Sequence, residues 1–292
     1  MKKPKISVVI PVYNREKILR QCLNSVLNQT YNNYEVIVVD NNSTDNTKKI
    51  IKKFQKKNKK IKYLFESKRG TAAARYKGEI NSRGDIILMT DSDCIVPKNW
   101  IEEMIEPIVK NRAIAVQGLK KAIFLNYWTR NIEKEERRLV TERLKDKKVG
   151  LLDTANFAIK KSVLKKAGYT NPDVCSVNDT ELDTRLKIKG YEIYFKEVKV
   201  LHHHPDTALS VFKKQFKRGE LNARLRKTYK AYKELFLIPS KVHQLCYFIG
   251  IGSELLCLHK NFKYDFITGM GWRIGLVYGY LWGKNYFKNI NK

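Results

Sequence analysis

Acidic residues are scarce in this chain. Its 292 residues hold 29 Asp and Glu against 58 Lys and Arg, a formal net charge of +29. An imbalance of that size points to a polyanionic partner: nucleic acid, an anionic lipid surface or a phosphorylated substrate. Cysteine is scarce too. Cys22, Cys94, Cys175, Cys246 and Cys257 are odd in number and form no CxxC pair. That pattern argues against a zinc site or a disulfide scaffold and fits a reducing cytoplasm. Long apolar runs are also missing. The start, MKKPKISVVIPVYN, is basic, but its apolar run is short and broken by Pro11, so it reads as a first β-strand rather than a signal peptide. Val242 to Ser253 is only 12 residues long before Glu254, and Phe266 to Gly283 carries Arg273 in its middle. A membrane-spanning helix needs about 20 mostly apolar residues, so neither stretch makes a convincing span. Disorder is excluded by what is present. At 43% hydrophobic and 11% aromatic, the chain can build a sizeable core in one large or two modest domains.

The first 118 residues alternate between two periodicities. Continuous apolar runs of strand length occupy Ile6 to Ile10 and Val36 to Val39, and Ile61 to Phe65 and Asp85 to Thr90 read as a third and fourth strand. Between them lie helical patterns: Ile18, Leu19, Cys22, Leu23, Val26 and Leu27; then Ile50, Ile51 and Phe54; then Thr71 to Asn81. Asn41 to Asp45 reads as a helix N-cap cluster. Apolar strands alternating with helices predict a mainly parallel α/β sheet covered on both faces. Ligands of such sheets sit beyond the carboxyl ends of the strands. The polar clusters at Tyr13-Asn14, Asp40 to Asp45, Glu66 to Gly70 and Asp91 to Asp93 all fall at those ends.

Downstream, Asn131 to Lys148 predicts a charged surface helix, and Phe157 to Ile159 a short apolar segment. A helix follows near Ser162 to Ala167, and another opens at Asn178-Asp179-Thr180-Glu181-Leu182. A strand at Tyr191 to Phe195 leads into Val198 to Leu201 and then His202-His203-His204. From Thr207 the composition changes: residues 207–292 hold 16 Lys/Arg and 4 Asp/Glu, so +12 of the charge sits there. Leu209, Phe212, Phe216, Leu225, Tyr229 and Tyr232 form a rough helical stripe among basic residues. With Trp272 and Trp282 farther on, basic amphipathic helices suit a membrane interface better than a span; the plainer alternative is that they pack on the globular body.

Asp91 and Asp93 are the sharpest chemical signal. Two carboxylates at a strand end can hold Mg²⁺ or Mn²⁺, whose remaining positions phosphate oxygens fill. A lone DxD is more often a turn; its place after a fourth buried strand is what favours a site.

SVVIPVYNRE, VIVVDNNSTD, ESKRGTAAARYKG, ILMTDSDC, TANFAIKKSVLKKAGY and NDTELDTRLKIKGY together resemble family 2 glycosyltransferases of the GT-A fold, over roughly residues 5 to 206. The resemblance implies transfer of a sugar from a nucleoside diphosphate sugar to an acceptor hydroxyl or phosphate, with inversion at the anomeric carbon and Mg²⁺ or Mn²⁺ as cofactor. It implies a nucleotide-sugar-binding half at 1–118, an acceptor and catalytic half at 119–206, and a basic amphipathic helical region at 207–292. Pro11, Tyr13, Asp40 and Arg69 would contact the donor, with the first three lining the nucleobase pocket. Asp91 would lie near the ribose, and Asp93 would be the direct metal ligand. Asp179 would be the general base that takes the acceptor's proton. His202, and secondarily His204, would add metal or phosphate contacts, or simply form a polar strand end. Gln215 to Gly219 is similar to the QxxRW segment of processive relatives, with Arg218 placed to hold the diphosphate. Gly219 stands where those relatives have Trp, which favours single-sugar transfer.

Other departures leave the donor open: the family's DD pair reads Asp40-Asn41, its Asn before Arg-Gly is Lys68, its ARN is Ala74-Arg75-Tyr76, and its ED pair is Asn178-Asp179. The expected acceptor is polyprenyl- or lipid-linked, in cell-surface glycan or glycolipid assembly, and the expected location is peripheral or monotopic on the cytoplasmic face of the membrane. Two other readings compete. A nucleic-acid-binding protein would explain the charge, but the basic residues lie on helices rather than interleaved with aromatics, and Lys48 to Lys62 reads as a solvated helix face, so no nucleic-acid partner is expected. A nucleotidyltransferase shares the nucleotide-binding sheet but leaves TANFAI and NDTEL unexplained.

Overall fold

The computed structural model describes residues 3–145, 152–174, 178–228 and 262–281. In chain order its elements are β1 (Ile6–Val12), α1 (Leu19–Leu27), β2 (Tyr34–Asp40), α2 (Thr47–Lys57), β3 (Ile61–Phe65), α3 (Thr71–Ile80), β4 (Ile86–Thr90), β5 (Cys94–Ile95), α4 (Trp100–Val109), β6 (Ala115–Ala122), α5 (Tyr127–Lys145), β7 (Asn156–Lys160), α6 (Lys161–Ala167), α7 (Asn178–Ile188), β8 (Tyr194–His202), α8 (Ala208–Thr228) and α9 (Phe262–Leu281). They divide into two units, one of residues 1–123 and 151–203 and one of 124–150 and 204–292.

The first unit is built on the apolar strand runs. Side chains on a strand alternate faces, so each run feeds two cores. Val8, Ile10, Val36, Val38 and Leu88 pack with Leu19, Leu23, Trp100, Met104 and Ile105 on one face. On the other face Val9, Ile87, Met89, Phe157 and Ile159 pack with Leu164, Leu182 and Leu186. Helices on both faces follow from strands with no polar side. The sheet order is β3-β2-β1-β4-β7-β6-β8-β5. Strands β3, β2, β1 and β4 are mutually parallel, as are β6 and β8. The sequence pattern did not reveal that β7 runs antiparallel to both its neighbours and β5 antiparallel to β8. It also split one strand: Tyr194-Phe195 and Val198 to Leu201 belong to β8 alone, which begins at Tyr194 and leaves Tyr191 to Ile193 outside it.

One polar side chain fixes the middle of this sheet. Fully buried Asn156 donates from Nδ2 to the carbonyls of Leu119 (2.9 Å) and Val198 (2.8 Å). Its Oδ1 accepts the Trp100 indole N–H at 2.9 Å. One amide thus ties α4, β6, β7 and β8 together where the β6–β8 register breaks between Gln117 and Leu119. The lysine-rich face of α2 (Lys48, Lys49, Lys52, Lys53, Lys56, Lys57) is exposed, as its periodicity predicts.

The second unit contains α5, α8 and α9. Helices α8 and α9 pack backbone to backbone: a Cβ on Gly219 would meet Trp272, one on Gly275 would meet the Phe216 carbonyl, and one on Gly279 would meet the Glu220 carbonyl. Small residues allow such an approach. Gly219, the departure from the processive pattern, is therefore required by packing. Phe216 also meets Tyr278 at 5.6 Å between ring centroids, and the Tyr264 amide donates to the Tyr127 hydroxyl at 3.1 Å. The expected helix from Asn131 begins earlier, at Tyr127. No helix among the described residues is long and apolar enough to cross a membrane. Val242 to Ser253, Tyr229, Tyr232 and Trp282 lie outside the described residues.

Candidate active site

The parallel strands β1, β2 and β4 end side by side, and their following loops interlock. Asn14, in the left-handed region (φ 48°), donates its amide to Ser43 Oγ at 3.1 Å and accepts the Thr44 amide on Oδ1 at 2.8 Å. Asp40, at the end of β2, is buried. It accepts the Ser43 amide (3.0 Å) and the Tyr63 hydroxyl (3.2 Å). Burial and the Asp40 charge push the Tyr63 phenol up to about 12, so it stays a donor. Buried Asn41 faces the loop after β3: its Nδ2 donates to the carbonyls of Glu66 (3.2 Å) and Lys68 (2.6 Å), and its Oδ1 accepts the Gly70 amide (2.8 Å). From that loop the Arg69 guanidinium lies over the Tyr13 ring, 5.5 Å from its centroid. A cavity of about 240 Å³ opens between these loops and is lined by Pro11, Tyr13, Arg15, Asn41, Asp91 and Asp93, among others.

Asp91 is held by an ion pair. The guanidinium of Arg75, 2% exposed, reaches Asp91 Oδ1 at 2.5 Å. Arg75 Nε and Nη1 are buried with no hydrogen-bond partner among the described residues. Asp93 is different. Its Oδ2 lies 3.5 Å from Arg15, while Oδ1 faces His202 Nε2 at 3.5 Å and accepts no hydrogen bond among the described residues. Strand pairing causes the histidine's placement, since β5 and β8 set Cys94 opposite His202, and the His203 amide donates to the Asp93 carbonyl at 3.2 Å. Burial and the neighbouring Asp91 raise the Asp93 carboxyl, with Arg15 opposing. Ligand atoms of Asp93, Cys94 and His202 lie within 4.8 Å of one another. A buried carboxylate oxygen without a donor, beside an imidazole nitrogen, suits a divalent cation such as Mn²⁺ or Mg²⁺. Cys94 adds little to that set: burial and the two aspartates raise its thiol, which points at the Ala155 carbonyl at 3.8 Å.

Asp179 opens α7. Its Oδ1 accepts the Thr154 hydroxyl (2.6 Å) and the Asn178 amide (2.7 Å). Burial, then the negative charge of Asp153, raise its carboxyl to about 6, against the pull of Arg75 and the Thr154 bond. Burial would raise Asp153 too, yet the adjacent Lys120, His202 and the Ala155 amide keep it well below the usual carboxylate range. Asp153 therefore stays charged and acts on Asp179. TANFAI resolves into parts: Thr154 orients Asp179, and Asn156 ties the sheet.

Of the residues singled out in the sequence, Pro11, Tyr13, Asp40, Arg69, Asp91, Asp93, Asp179 and His202 gather at the loops of the first unit. His204, buried, and Arg218, exposed on α8, belong to the second unit. Sequence reasoning missed Arg15, Arg75, Lys120, Asp153 and Thr154. One signal was available for Arg75, which stands in the ARN position of the motif directly after three alanines, Ala72 to Ala74.

The profile of the family described as Glycosyl transferase family 2 matches residues 7–168. Among relatives, the glycosyltransferase AglE of Haloferax volcanii is 30% identical over 74% of this chain and 72% of its own length. The glycosyltransferase GlyG of Streptococcus pneumoniae is 40% identical over 39% of this chain and 38% of its own. Among solved structures, the mannosyltransferase PcManGT of Pyrobaculum calidifontis, in complex with GDP-Man and Mn²⁺, superposes with a TM-score of 0.71 at 18% identity over 97% of this chain and 88% of its own. Staphylococcus aureus TarS 1–349 in complex with UDP gives 0.53 at 16% identity over 94% and 90%.

Proposed function

Because this chain is a member of glycosyl transferase family 2 with the GT-A fold, we propose that it transfers a sugar, with inversion, from a UDP- or GDP-linked donor to a hydroxyl or phosphate of a lipid-linked acceptor. The observation that carries the reading is the contrast between two carboxylates of one site. Asp93 presents a buried oxygen without a hydrogen-bond donor toward His202, whereas Asp179 is raised to about 6 and held in place by Thr154 and Asn178.

In this reading Pro11 and Tyr13, closed over by Arg69, receive the nucleobase. Asp40 supports the pocket from beneath through Tyr63 and Ser43. Asp91, fixed by Arg75, faces the ribose. Asp93 and His202 would hold Mg²⁺ or Mn²⁺, which would neutralise charge on the diphosphate. Asp179, mostly ionised at pH 7, takes the proton of the acceptor hydroxyl. The acceptor oxygen bonds to the anomeric carbon, and the bond to the diphosphate breaks with its electron pair leaving on the diphosphate oxygen. The complexes of PcManGT with GDP-Man and Mn²⁺ and of TarS with UDP support a nucleoside diphosphate donor and a cation.

A peripheral position on the cytoplasmic face of the membrane is supported by charge and by α9. Residues 207–292 carry 16 Lys/Arg against 4 Asp/Glu. Beside the face that packs on α8, α9 exposes Ile274, Val277 and Leu281, which share one side at helical spacing. The test is a panel of UDP- and GDP-sugars offered with Mn²⁺ and membrane-extracted acceptor lipid. Release of nucleoside diphosphate coupled to a glycosylated lipid supports the reading. Release of pyrophosphate, or transfer unaffected by EDTA, would sink it.

A further inference from the structure

Asn41 has chemistry that the reaction above does not use. It is 5% exposed, and all of its amide is engaged with one short loop. The Glu66 and Lys68 carbonyls take both of its N–H directions, and Gly70 supplies the proton to its oxygen. The same loop is pinned once more from β2, by the Glu66 amide on the Asp40 carbonyl at 2.9 Å. Gly70 itself sits at φ 132°, a conformation that L side chains rarely adopt, and leads directly into α3. The loop held in this shape pairs Lys68 with Asp173 and, on the side of the cavity, delivers Arg69 over Tyr13.

We propose that Asn41 is a positioning residue that clasps the Glu66–Gly70 loop, so that Arg69 and Tyr13 form one wall of the donor nucleobase slot. The inference rests on the functional reading above and names the residue on which its donor site depends. Only an amide fits the position. It must donate to two carbonyls and accept from an amide N–H at once, which a carboxylate of the same shape cannot do. Replacing the NH₂ by a charged oxygen sets it against the Glu66 and Lys68 carbonyls and releases the loop. The Asp40-Asn41 departure from the family's acid pair is then matched to this loop, in which Lys68 and Arg69 precede the glycine.

The test is Asn41→Asp in the full chain, read in three ways. Donor KM for the UDP- or GDP-sugar should rise on the order of ten-fold, the scale of one to two lost hydrogen bonds. Turnover at saturating donor should change by less than about two-fold, since no transition-state contact is removed. Amide hydrogen exchange of residues 66–70 in nucleotide-free protein should accelerate, whereas that of β1 and β4 should not. Arg69→Ala, an exposed substitution that leaves the clasp in place, should reproduce the KM rise without the faster exchange, and it carries the test should Asn41→Asp fail to fold. The inference is overturned if Asn41→Asp raises KM without loosening the loop, which would make Asn41 a direct donor contact, if it loosens the loop with KM unchanged, if it leaves both unchanged, or if Arg69→Ala binds donor like the wild type. Wild-type protein that binds no nucleoside diphosphate overturns the functional reading instead, a result distinct from a variant that matches a binding wild type.

Discussion

Replacing Asp179 by asparagine should inactivate the enzyme while making it more stable at neutral pH. The carboxyl rises from an ordinary 3.8 to about 6, first through burial and then through Asp153. A group bound more tightly to its proton in the folded state adds stability at low pH and loses it as pH rises toward the folded value. The wild type therefore carries a penalty above pH 6 that is absent below about pH 4. At 1.36 kcal/mol per pH unit the penalty is on the order of 2 to 3 kcal/mol, the lower end being favoured because the side chain is partly exposed. An amide removes the penalty and keeps the local bonds, since its oxygen still accepts from Thr154 and Asn178. Urea unfolding of Asp179→Asn at pH 7.5 should show a gain of that order, shrinking toward zero at pH 4. Transfer, followed as nucleoside diphosphate released with acceptor, should fall by a factor of about 10² to 10⁴, the usual contribution of a general base. The wild-type kcat/KM should lose activity on the acid side near pH 6. A variant with near-normal transfer refutes the role of the base. A variant less stable than wild type at pH 7.5 refutes the electrostatic argument.

Three further outcomes follow from the geometry. Asp93→Ala should lose the stimulation by Mn²⁺ while retaining its fold by circular dichroism; unchanged Mn²⁺ dependence would place the cation elsewhere. Asn156→Ala removes three buried hydrogen bonds and should cost on the order of 3 to 5 kcal/mol in chemical denaturation, and a loss under 1 kcal/mol would contradict its role as the tie between sheet and α4. Gly275→Val drives a side chain into the Phe216 carbonyl and should undo the α8–α9 packing, seen as lower helix content and an earlier melting step; a wild-type melting curve would contradict the close approach.

The half of the fold built on local patterning was legible in the sequence. Apolar runs at strand length, separated by helical periods, place β1 to β4 with errors of one or two residues, and parallel strands with buried faces put the polar loops on one edge. Pairing direction between distant segments leaves no such local trace. Nothing in NFAIK states that it runs antiparallel between β4 and β6, because that depends on the route of the chain through α4 and β6. The site divides in the same way. Asp91 and Asp93 are found from their place at a strand end, and Asp179 by resemblance. Their electrostatic partners Arg75, Arg15 and Asp153 come from other segments, and only the folded chain shows that Arg75 holds Asp91 or that charged Asp153 raises Asp179. Gly219 shows what only the fold adds: the residue that departs from the processive pattern also sits where Trp272 lies against its Cα.

The central claim, cation-assisted binding of a nucleoside diphosphate sugar at the β1–β2–β4 edge, is tested most directly by calorimetric titration of UDP- and GDP-sugars into wild-type and Asp93→Ala protein, with Mn²⁺ and with EDTA. The account predicts that one donor binds the wild type with Mn²⁺ and loses at least about ten-fold in affinity, roughly 1.4 kcal/mol, on either EDTA treatment or the Asp93 substitution, with no further loss when the two are combined. Equal affinity under all four conditions would contradict it.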